Sequence, residues 1–225
     1  MNLKNWKQKA YFFEIFGCIQ FAVLIFIAML FYTGGTPENP DIQGYSFWGN
    51  TISDLGRITA HSGKPNTISM VLFTIALCIW SVSLIPFFLA LLYLFNEVKS
   101  EKTPGIIGSI FGIIASISLI GIVFTPADIL LGLHMVFVYI RYSSMIFMGI
   151  SYSITLYLNK EFPKQYTYLF IVFTIVYFII SMMGLVGLAA NRTIMVIGQK
   201  IGTIATLICF IIVGYGAWKL EKSKK

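Results

Sequence analysis

The chain has 225 residues, 57% of them hydrophobic and only 11% charged, and its mean hydropathy is +0.82. A soluble domain carries about a quarter charged residues, so this balance excludes one, and apolar runs longer than about 18 residues mark a polytopic membrane protein. The formal net charge of +7 then concerns topology and lipid head groups, not nucleic acid, because no basic run is interleaved with the aromatics.

Residues 1–10 are polar and basic, with Lys4, Lys7 and Lys9. The apolar run 11–33 is long enough to cross a bilayer, and no small-residue cleavage site follows it. It reads as an uncleaved first span. One long loop, 34–65, is rich in Gly, Pro, Asn and aromatics. The second span, 66–95, contains Pro86, an expected kink. A charged turn, 96–103, leads to the third span, 104–124. The fourth span, 129–158, follows Thr125 almost without a loop. The turn 159–164, the fifth span 165–188, the turn 189–193, the sixth span 194–218 and a basic tail complete the order. Neither a repeat nor a second domain interrupts it. The expected fold is all-α, a single domain 1–225 of six transmembrane helices in one bundle.

Cys18, Cys78 and Cys209 each lie inside an apolar run, with no Cys-x-x-Cys spacing, and read as small buried hydrophobes. Gly108, Gly112 and Ser116 fall four apart on the third span, a spacing that lets helices approach closely.

Lys and Arg set the orientation. The N-terminal segment, the turns after spans two and four, and the tail hold eleven of them. The opposite side holds three, Arg57, Lys64 and Arg192. This asymmetry places both termini in the cytoplasm. Trp6, Tyr11, Tyr93, Tyr157, Tyr166 and Trp218 fall near the inner ends, as interfacial aromatics do. At 1.5 Å per residue, Arg141 and Lys200 each stand about 27 Å above the inner end of their spans. That is just inside the outer boundary of a core about 30 Å thick, where a charge snorkels or finds a partner.

Thr125-Pro126-Ala127-Asp128 has the form of a capping box with proline at the first helical position. If the fourth helix starts there it is about 50 Å long, against about 31 Å for the third span. Residues 126–133 then lie along the interface, or the helix tilts or protrudes. His134 and Arg141 are seven residues apart and share a stripe of it. An ionisable pair inside a span is a functional candidate.

Topology gathers the polar residues at the outer side. The loop gives Ser53, Asp54, Arg57 and His61. The hairpin gives Asp128 and His134, with Arg141 below, and the last turn gives Arg192 and then Lys200. Ser53, Asp54, Arg57, Asp128, His134, Arg141, Arg192 and Lys200 are the candidate ligand-binding residues. A basic pocket of this kind suits an anionic head group. His61, His134, Asp54 and Asp128 are the candidates for a metal that activates water, though no local His-x-x-x-His spacing supports one. Ser53 lacks the glycine-framed elbow of a hydrolase nucleophile. A transporter wants broken helices and paired repeats, of which only Pro86 gives a hint.

Ile52-Ser53-Asp54-Leu55-Gly56 before span two, and 121–128 followed by His134, resemble the multi-pass membrane proteins grouped as domain of unknown function 998. Those are similar in layout to the Frag, DRAM and Sfk-type six-span proteins. Asn191-Arg192 is a third match, with Asn191 where the family carries an acidic residue. Lys200 also departs from the pattern. The resemblance covers nearly the whole chain and implies lipid-related or membrane-organising roles, by analogy.

The favoured reading is a cell-membrane protein whose partner is the bilayer and which binds an anionic lipid or small molecule at an outward-facing polar pocket. The alternatives are a membrane-embedded hydrolase or transferase using Asp54, Asp128 and His134, and a structural or scaffolding protein. No cofactor is assigned.

Overall fold

The computed structural model describes residues 5–95, 98–189 and 191–223. Lys4, Asn96, Lys224 and Lys225, which enter the charge count or bound the second turn, lie outside the described residues. Six long helices follow in order: α1 (Trp6–Leu30), α2 (Thr67–Leu94), α3 (Lys99–Val123), α4 (Leu131–Leu158), α5 (Lys164–Ala189) and α6 (Arg192–Ser223). A 3-10 turn, Ile52–Gly56, lies in the long loop. Each helix packs against the next, and α1 closes against α6, so the six form a ring in chain order.

Apolar residues occupy every face of these helices, which is what a span needs: one side meets its neighbours and the other meets lipid. Ile117, Val172 and Ile175 are more than half exposed on the outside. All six helices are long and apolar enough to cross a membrane. This is the build of a multi-pass membrane protein.

Aromatic rings fill the middle. Phe87 and Phe88 of α2 meet Phe210 of α6, each with ring centroids 5.7 Å apart, and Tyr152 of α4 meets Phe170 of α5 at 5.4 Å. The small-residue stripe of α3 serves this packing. A Cβ at Gly112 would stand 2.5 Å from the Phe88 ring, and one at Gly108 would stand 3.0 Å from that of Tyr152.

Pro86 lies inside α2, which runs on through it. Several expectations change. Helix α3 begins at Lys99, so most of the expected charged turn is helical. Tyr11 and Tyr166 are buried in the bundle and are not interfacial; the Tyr11 hydroxyl donates to the Ala90 carbonyl at 3.1 Å.

The capping box at Thr125 does not form. Thr125 Oγ1 turns back and donates to Gly121 O at 2.8 Å, closing α3. Residues 126–130 make a turn in which the Ile129 and Leu130 amides donate to Pro126 O. Helix α4 starts only at Leu131. The 50 Å helix is thereby avoided.

At the termini end, Lys7 pairs with Glu221 at 2.9 Å. Asn159 donates to Glu101 at 2.6 Å and accepts from the Glu161 and Phe162 amides, which fixes the α4–α5 turn.

Candidate functional site

The long loop folds down onto the loop end of the bundle. Leu55 is fully buried and Ile52 nearly so. Asn66, also buried, donates to Leu55 O and Arg57 O, and Ser69 of α2 donates to Leu55 O as well. Trp48, four residues before Ile52, takes no part in this docking and is 63% exposed.

A capping box does exist, at the other Thr-x-x-Asp in the chain. Thr51 Oγ1 accepts from the Asp54 amide at 3.1 Å, and Asp54 Oδ2 accepts from the Thr51 amide at 2.8 Å. The same carboxylate, 3% exposed, takes His61 Nε2 at 3.1 Å and Arg192 Nη2 at 3.2 Å. Burial pushes this carboxyl's pKa up, but the His61 hydrogen bond and the Arg192 charge outweigh it. The net effect holds Asp54 below its ordinary range. Arg192 also stands 3.9 Å from the exposed Glu38. Arg57 does not pair with Asp54; its Nε donates to Thr59 O at 3.1 Å.

Beneath this hub lies a cavity of about 420 Å³ between α4, α5, α6 and the 3-10 turn, within the size range of small-molecule sites. Its upper part is polar, with Ser53, Asp54, Arg57, His61, His134 and Arg192. Its deeper part is mainly apolar, with Val138, Ile146 and Ile180 beside Tyr142, Ser143 and Ser181, and Met135 and Leu185 stand nearer the mouth. Leu131, Tyr139, Met182 and Leu185 line it and are also exposed on the flank of the bundle. The cavity therefore opens sideways between α4 and α5.

His134 is buried, and its Nδ1 lies 2.7 Å from Thr125 O. A carbonyl only accepts, so Nδ1 carries the hydrogen and Nε2 is left to the cavity.

Three candidates stand elsewhere. Asp128 is outside the cavity and holds the loop in place, accepting from the Ile58 and Thr59 amides at 3.2 and 2.9 Å. Those amides have no secondary-structure partner, and this long-range demand wins over the local cap. Lys200 is 5% exposed and turns away from the cavity. Its Nζ donates to Asn50 O at 2.6 Å and lies over the rings of Phe47 and Tyr45. Arg141 is buried and, among the described residues, meets no carboxylate. It lies over the Trp80 ring at 5.6 Å, inside the bundle.

The proposed enzyme trio is therefore not assembled, because Asp128 is engaged away from Asp54 and His134. The four metal candidates do not converge either. Among the described residues no three His, Cys, Asp or Glu side chains are placed to share an ion.

Sequence reasoning passed over Glu14, which is fully buried in α1. It accepts from Cys18 and Trp80, each at 3.1 Å, and from Ser83 at 2.7 Å. The signal was present, since a lone carboxyl in an apolar run demands partners. The Gln199 amide joins Ile52 N and Ser53 Oγ to α6.

No protein family, curated protein or solved structure matches the chain.

Proposed function

We propose that this protein binds the head group of an anionic lipid, or of a similar amphiphilic small molecule, at the loop end of the bundle. The Lys and Arg asymmetry turns that end outward in the cell membrane. The observation that carries the reading is the two-part cavity: charged under the docked loop, apolar below, and open to the flank between α4 and α5. An amphiphile entering from the bilayer would lay its chain along Met135, Ile180 and Leu185 and present its head to Arg57 and Arg192, with a head-group hydroxyl donating to His134 Nε2. The two guanidinium groups outnumber the one carboxylate there, and Asp54 is already taken by its own partners. A phosphate or carboxylate head group suits such donors.

The resemblance to the domain of unknown function 998 proteins belongs to the same proposal. Its two motifs meet in space, because Asp128 of the second holds Ile58 and Thr59, just past the first. That contact gives both motifs one task, closing the roof of the cavity.

Native mass spectrometry of the full chain in mild detergent tests the binding. The wild type should retain an anionic amphiphile; Leu185→Trp, which fills the apolar part, should lose it; and Arg192→Ala should weaken it. A wild type that carries no amphiphile, and gains no more thermal stability from anionic than from neutral lipid, overturns the reading. Orientation has its own test. A membrane-impermeant thiol reagent added to intact cells should label Asn39→Cys and spare Lys160→Cys, and the opposite pattern would turn the cavity to the cytoplasm.

A further inference from the structure

Arg141 is 7% exposed, and by helix rise it lies about 15 Å below the start of α4. Its Nε has no hydrogen-bond partner, and among the described residues no carboxylate is within ion-pair reach. Among the described residues its cationic head meets the face of one aromatic ring, that of Trp80. A buried cation in that state is a standing electrostatic demand.

Arg141 lines a second, smaller chamber of about 40 Å³. One water needs about 10–15 Å³ by the same kind of measure, so there is room for a single small ion with little hydration. The polar groups lining it are suited to donate. The Tyr142 hydroxyl has no hydrogen-bond partner among the described residues. Ser53 Oγ accepts from Gln199 Nε2 at 3.2 Å, which leaves its own hydrogen uncommitted. The Gln199 amide has a second N–H to offer. No Asp or Glu lines the chamber. Ser53, Val138, Tyr142 and Gln199 also line the larger cavity, so the two spaces share a wall.

We infer that this chamber is a binding site for a small inorganic monoanion, chloride being the abundant one, held by Arg141 with Tyr142, Ser53 and Gln199. Trp80, whose ring the guanidinium overlies, lines the same chamber. The site goes beyond the amphiphile reading, because the chamber is too small for a lipid head group and can fill while the larger cavity is empty.

The test uses the full chain in detergent at constant ionic strength, with sodium gluconate replaced stepwise by sodium chloride. Gluconate is too large for the chamber. The expected result is a saturable rise in the thermal midpoint with chloride, shared by bromide. Arg141→Gln should weaken the apparent chloride affinity by roughly tenfold or more, as befits loss of a charge-assisted contact. Should that variant not fold, Tyr142→Phe decides, since it removes one donor and keeps the ring; a several-fold weakening is expected. Equal midpoints in gluconate and chloride mean that the chamber holds water only and overturn the proposal. So does a chloride response unchanged in Arg141→Gln, or in Tyr142→Phe if the former does not fold. Leu185→Trp separates the two readings: it should lose the amphiphile and keep the chloride response.

Discussion

Asp54 and Arg141 are about equally hidden, 3% and 7% exposed, yet they sit in opposite surroundings. Asp54 has two cationic or ionisable partners and one backbone amide on its oxygens. Arg141 has an aromatic face and a small chamber. The first arrangement is complete without any ligand and fixes the shape of the loop. The second is incomplete among the described residues. A buried charge whose valences are met by the fold is structural, whereas one left open is where an ion is expected. The larger cavity lies between them, roofed by the first and sharing a wall with the second.

Breaking the complete arrangement should have the largest effect. Asp54→Ala leaves Arg192 and His61 without their carboxylate and removes the capping box. It should lower stability in detergent by about 3–5 kcal/mol, the usual range for a broken buried pair, read by chemical or thermal unfolding. Acid should do the same to the wild type. The folded-state pKa of Asp54 lies below its ordinary value of 3.8. Its contribution is therefore fully present above that value and is lost as pH falls through the lowered one. Asp54→Ala should show a flatter acid limb than the wild type. An acid limb equally steep with and without Asp54 would contradict this.

The incomplete arrangement should respond with the opposite sign. Arg141→Met replaces an unpaired cation with an apolar chain of similar length. In gluconate, with the chamber deprived of chloride, it should be neutral or stabilising by about 1–4 kcal/mol, as apolar replacement of buried charge often is. In saturating chloride the advantage should shrink or reverse. A strong loss of stability in both salts would mean that Arg141 has a structural partner after all, and would erase the contrast with Asp54.

Asp128 offers an intermediate case, a carboxylate satisfied only by backbone. Asp128→Ala should free residues 57–60 and cost about 1–2 kcal/mol. Limited proteolysis should then cut the loop sooner while the helices stay intact. An unchanged digestion pattern would show that Leu55 and Asn66 suffice to hold the loop.

The helices were legible in the sequence because length and hydropathy act locally: each apolar run predicted a helix that formed within a few residues of its expected ends. The site was legible only in outline. Topology placed Asp54, His61, His134 and Arg192 at one end of the bundle, but pairing is a three-dimensional choice among several acids and bases. The same Thr-x-x-Asp pattern occurs at Thr51 and Thr125, and only the first caps. At the second, the amides of Ile58 and Thr59, about 70 residues away in sequence, claim the aspartate. Depth counting set Arg141 and Lys200 at equal heights and could not say which way each faced. Lys200 found aromatic rings and a carbonyl under the loop, and Arg141 found a chamber. Tyr142 went unremarked because an aromatic in a span reads as packing.

Glu14 is the mildest test of the same contrast. It is a buried carboxyl like Asp54, but its three partners, Cys18, Trp80 and Ser83, are all neutral. Glutamine at this position can keep the set. Its Oε1 accepts from Trp80 and Cys18, and its Nε2 donates to Ser83 Oγ. Ser83 then sends its single hydrogen to Trp80 O, already 2.7 Å away. Glu14→Gln should therefore change stability by less than about 1 kcal/mol, whereas Glu14→Leu strands two buried donors, Trp80 Nε1 and Cys18 Sγ, at about 1 kcal/mol or more each. Unfolding of both variants in detergent reads the difference. A Glu14→Gln loss approaching that of Asp54→Ala would mean that the negative charge itself is used, and that α1 and α2 hold a charged site of their own.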